Sequence, residues 1–161
     1  MLLETTSIMT KGILPEIKNL NLDRIKWKLK DAEEGQGWSD ELCDFAEQEY
    51  KKYLTMIKLF PELDIVPNKI MDKFWHQHIL DTRAYANDCN SIFGYFVHHY
   101  PYFGMNGEED KQNLIDAFNQ TKKIYKATFG SNMEDADPAR CKDHSCHKPS
   151  SCACRTPSAC K

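Results

Sequence analysis

PNKIMDKFWHQHILDTRAYANDCNSIFGYFVHHYPYFG, residues 67–104, reads as two consecutive helices joined at an aspartate. At 100° per residue, Ile70, Met71, Phe74, Trp75 and Ile79 fall on one side. A helix should therefore run from about Asn68, just after Pro67, to Leu80. Asp81 or Thr82 can end it and cap the next. Beyond that point Tyr85, Cys89, Ile92, Phe93 and Phe96 share a face, and Pro101 forbids continuation. The spacing predicts a second helix that carries this face on toward Pro101.

The same wheel sorts the histidine doublets. His78 falls near the middle of the buried side, and His76 lies about 160° away from it. The two cannot clasp one metal ion while both stay helical. Asp81, one turn after His78, is placed to hold its ring. In the second doublet His99 joins Tyr85, Cys89 and Phe96, while His98 points outward. In a straight hairpin His78 and His99 would stand about 25 Å apart, which counts against a shared site. Both are expected as hydrogen-bonded core histidines, with a metal or acid–base role as the competing reading. Trp75, Tyr85, Phe93, Phe96, Tyr100 and Phe103 are expected in the core. Cys89 is expected to act as a small buried hydrophobe.

Upstream, residues 1–20 read as an irregular lead-in broken by Gly12 and Pro15. LDRIKWKLKDAEE fits either a helix or an alternating strand; helix is favoured, since a lone strand would have no partner. Ser39 then caps a helix whose first turn carries Asp40 and Glu41. Leu42, Phe45, Ala46, Tyr50, Tyr53, Leu54 and Ile57 continue its stripe up to Pro61. Downstream of PYFGMNG, an acidic turn (Glu108, Glu109, Asp110) opens a last helix. Its stripe runs through Leu114, Phe118, Thr121, Ile124 and Tyr125 and closes at Gly130. The expectation is an all-α bundle of about five helices over residues 21–130.

After Gly130 the composition changes. Residues 131–161 contain no Leu, Ile, Val or aromatic residue. Such a tail cannot offset its ordering entropy by burial and is expected to be disordered unless ligated. It holds five of the seven cysteines (Cys141, Cys146, Cys152, Cys154 and Cys160), interleaved with His144 and His147. The pattern C-x4-C-x5-C-x-C-x5-C has no C-x2-C pair and matches no structural zinc knuckle, yet these donors suit Zn(II) or Cu(I).

Eighteen aromatics (3 Trp, 7 Tyr, 8 Phe) are enough for a core without disulfides. A formal net charge of −3 gives no electrostatic case for nucleic acid or a membrane surface. No apolar run spans a bilayer, and the N-terminus lacks a signal-peptide pattern, so a cytoplasmic, reducing address is expected.

The run of residues 67–104, with its W-H-x-H, Y-x-x-D-C and F-G elements, resembles the glycine-rich domain-containing protein-like family. The resemblance extends over roughly residues 20–130. It implies Trp75, His76, His78, Tyr85, Asp88, Cys89 and Gly94 as motif positions, with no settled enzymatic activity. Three functions compete. The first is a non-catalytic binding or regulatory module with a metal- or redox-responsive thiol tail, acting on a protein partner. The second is a metal-dependent enzyme centred on WHQH. The third is a precursor whose tail a partner enzyme modifies.

Overall fold

Two short polar side chains set the helix starts that frame the molecule. Ser39 accepts a hydrogen bond from Leu42 N at 3.1 Å, and Asn68 accepts one from Met71 N at 2.9 Å. Each satisfies a backbone donor that the first turn leaves without a partner. The computed structural model describes residues 12–134. Along them run α1 (Pro15–Lys18), α2 (Asp23–Lys30), α3 (Asp40–Leu59), α4 (Lys69–Leu80), α5 (Thr82–Phe93) and α6 (Glu108–Phe129). Every described element is a helix, and none is long and apolar enough to cross a membrane. The Cys/His-rich tail lies outside the described residues.

α3 and α4 make the largest contact in the fold, with α2 packed on both. Tyr50 and Phe74 stack at their junction, ring centroids 5.1 Å apart. α6 is tied to α3 by charge as well as packing. Buried Glu49 accepts from Tyr125 Oη and from Lys52 Nζ, both at 2.9 Å. A buried carboxylate needs such partners, because removing it from water without them is costly.

Two expectations require correction. The lead-in contains a helical turn, α1, started by Pro15, whose Ile17 is completely buried. Four residues are too few to show a period, so the stripe could not reveal it. The larger correction concerns α5, which stops at Phe93. Gly94 takes φ 78°, and its N–H closes the helix on Asn90 O. A left-handed residue ends a helix, and glycine adopts it without Cβ strain. The apolar stripe read as running on through Phe96 is therefore coincidental, and Phe96 is exposed. Farther on, Gly104 (φ 85°) is required for space as well. A Cβ there would lie 2.6 Å from Leu114 Cδ2, so this glycine lets the 101–107 turn close on α6.

Candidate functional site at the histidine doublets

His78 lies on the inner face of α4, and three helices converge on its ring. Its Nδ1 is 2.8 Å from Tyr50 Oη of α3, and its Nε2 is 2.8 Å from Asp88 Oδ2 of α5. A carboxylate only accepts, so Nε2 carries the proton and Nδ1 accepts from the tyrosine hydroxyl. Burial pushes the His78 pKa below its ordinary value, against the pull of Asp88. The imidazole is thus a neutral strut. Asp81, placed beside this ring by the sequence reading, has another role: its carboxylate accepts from Ala84 N at 3.3 Å and caps α5. The partner is Asp88, about two turns farther on in α5.

A second tie reaches past the end of α5. Trp75 Nε1 donates to Tyr85 Oη at 2.9 Å, and Tyr85 in turn donates to the carbonyl of Val97. This chain of bonds pins the irregular segment after Gly94 against α4 and α5. Val97 and Cys89 are buried beside it, while Tyr95, Phe96 and Tyr100 are exposed. With Val97 turned inward on non-helical chain, His99 two residues later also turns inward and His98 is exposed. The inward and outward members of this doublet match the expectation, but the segment that orients them is not a helix.

That segment brings His99 to α4, and its neighbour there is His76. Asp72 Oδ1 lies 3.0 Å from His99 Nε2, and Asp72 Oδ2 lies 3.2 Å from His76 Nδ1. The two imidazoles meet edge to face, centroids 4.5 Å apart, and the Trp75 indole sits 4.4 Å from His99. Asp72 and His76 are four residues apart on one helix flank, where side chains are neighbours. His76 Nδ1 also lies 2.6 Å from the Asp72 carbonyl. Burial opposes charge on Asp72, yet the hydrogen bonds from His76 and His99 outweigh it and hold its pKa low. The groups packed around the half-exposed His76 ring work against its charge, and the Asp72 carboxylate overrides them, raising that pKa. One ligand atom from each of Asp72, His76 and His99 fits within a mutual 4.8 Å.

This cluster lines, together with Asp64, a cavity of about 290 Å³ between α3, residues 63–67, α4 and residues 97–103. Its other walls are mainly apolar, including Ile57, Val66, Val97, Phe103 and Leu114. His98 also lines it. The structure thus separates the four histidines of the two doublets differently from a helical wheel. His76 and His99 come together, whereas His78 stands apart in the core. Asp72 was not singled out in the sequence, although D-x3-H on a helix is a readable pairing signal. The tail ligands proposed from spacing, Cys141 to Cys160 with His144 and His147, lie outside the described residues.

A model of the UCP032817-like family matches residues 17–141. No glycine-rich-domain family is indicated, which corrects the resemblance drawn from residues 67–104. Trp75, His78, Tyr85 and Asp88 serve here as ties within a helical hairpin, and a motif built of such ties reports local packing. No curated protein and no solved structure matches the chain.

Proposed function

The chain belongs to the UCP032817-like family, and on that premise we propose that it is a non-catalytic binding or regulatory module. Its recognition site is the cavity at α3, α4 and residues 97–103, and its ligand is a small, largely apolar molecule with one polar group. The observation that carries this reading is the cavity itself: about 290 Å³, with mainly apolar walls and with Asp72, His76 and His99 gathered in its lining. That is near the lower bound of small-molecule sites, which typically combine apolar walls with a few convergent polar groups.

A titration of metal-free protein with hexanoate, followed by amide NMR, tests this. Saturable shifts at Val66, Val97, Phe103 and Leu114 are expected, and Val66→Trp, which fills the cavity, should remove them. Shifts scattered over the surface without saturation would sink the reading. The thiol tail adds a proposed metal or redox response in a reducing cytoplasm, read by a protein partner. Mass spectrometry of native protein should find five unmodified tail cysteines. Modified or cleaved ones would replace this part of the proposal with a precursor processed by a partner enzyme.

A further inference from the structure

We infer that Asp72, His76 and His99 form a site for a divalent first-row transition metal, Zn(II) foremost, with an open coordination position facing the cavity. The inference concerns the cluster alone and stands whether or not the cavity takes an organic ligand. Tetrahedral zinc, with bonds of about 2.0–2.2 Å to His nitrogen and Asp oxygen, sets its ligand atoms about 3.3 Å apart. The carboxylate-to-imidazole separations are 3.0 and 3.2 Å, and all three ligand atoms lie within 4.8 Å. Small side-chain rotations are enough to close the set around an ion.

The donors also suit such a metal. Two imidazoles and one carboxylate match zinc and other first-row divalent ions, while calcium and magnesium prefer all-oxygen sets. Three protein ligands leave a tetrahedral ion one position short, as in sites that exchange water for an outside ligand. Two independent parts of the fold hold the donors in place. Asp72 and His76 share one flank of α4, and His99 is carried by the segment that Tyr85 pins through Val97. The Trp75 ring, 4.4 Å away, braces the His99 imidazole. The Asp72 carbonyl lies 2.6 Å from His76 Nδ1, the nitrogen that would ligate, so metal entry must displace this hydrogen bond.

The three donors line a cavity whose walls are mainly apolar, so an outside ligand on the ion would carry its donor atom, such as a carboxylate oxygen, on a small apolar body. In the absence of metal the two imidazoles hydrogen-bond the carboxylate. Metal entry replaces the proton between Asp72 and each nitrogen it ligates, and those protons leave to solvent.

Tail thiols would compete for the ion, so the experiment uses the full chain with Cys141, Cys146, Cys152, Cys154 and Cys160 each changed to Ser. Co(II) added to it should saturate at one equivalent, with a visible d–d spectrum and no thiolate charge-transfer band. Zn(II) should displace it stoichiometrically. Loss of an outer partner alone costs 10–100-fold in affinity, so Asp72→Asn and His99→Gln should each cost at least about 100-fold. His76→Asn, at an exposed position, provides a ligand deletion that the fold tolerates, and it should weaken binding comparably. His98→Ala, in the same cavity but outside the cluster, should leave affinity unchanged. Failure to saturate with Co(II) or Zn(II), or affinity unaltered in His76→Asn, would overturn the inference and leave a hydrogen-bonded cluster with no metal.

Discussion

His76 and His78 are two residues apart in the same helix and occupy opposite physical regimes. His78 is buried among three helices and kept neutral, with each ring nitrogen satisfied by a partner from a different helix. His76 sits at the rim of a cavity, shares Asp72 with His99, and favours its charged form. One region uses a histidine as a strut, and the other leaves a histidine accessible. The difference arises from what lies opposite each face of α4: helices α3 and α5 on one side, irregular chain on the other. A sequence motif such as W-H-Q-H thus mixes a packing requirement with a functional one, and only the environment of each ring separates them.

The sharpest way to break this comparison is His78→Ala. It leaves the Tyr50 hydroxyl and Asp88 without their shared partner and opens a hole in the core. We expect a loss of about 3 kcal/mol, seen as a fall of roughly 10 °C in melting temperature. A loss under about 1 kcal/mol would remove the strut.

Tyr85→Phe comes next. The indole N–H of Trp75 and the Val97 carbonyl lose their common partner, at a cost of about 2 kcal/mol. Hydrogen exchange should quicken at residues 95–100 before the helices are affected. Uniform acceleration across α4 and α5 would show that the tie holds the whole hairpin rather than the segment bearing His99.

The two histidines should also respond to pH with opposite sign in metal-free protein. The His78 pKa is lowered from 6.5 on folding, so its neutral state is fully stabilising above 6.5 and that contribution shrinks as pH falls below it. The His76 pKa is raised from 6.5, so its contribution is complete below 6.5 and is lost as pH rises through the higher folded value. Denaturant melts of wild type and His76→Ala should therefore differ more at pH 5.5 than at pH 8. A gap that widens toward alkaline pH would contradict the assignment. The smallest effect is expected at His98→Ala, within about 0.5 kcal/mol of wild type, because that ring is exposed.

Much of the helical frame was readable from local chemistry. Ser39 caps α3 as its side chain predicts, α4 begins beside Asn68, Asp81 is the cap of α5 of the two residues offered, and Gly130 closes the last helix. The 23–30 segment is helical despite its alternating pattern. What failed was extrapolation past Gly94, since an apolar face at helical spacing does not show whether the backbone continues to turn. That failure also hid the site. With His99 expected on a helix about 25 Å from His78, spacing alone offers no partnership with His76 through Asp72. Asp88 was named as a motif position, but its contact with His78 depends on how α4 and α5 fold back at Asp81, which spacing alone does not specify. The family resemblance failed for a related reason, because it rested on residues that mostly serve packing.

Imidazole NMR of the full chain, with the five tail cysteines changed to Ser, tests most directly the division among the four histidines of the two doublets. On adding one equivalent of Zn(II), the ring resonances of His76 and His99 should move together while those of His78 and His98 stay in place. A shift at His78, or none at His76 and His99, would contradict it.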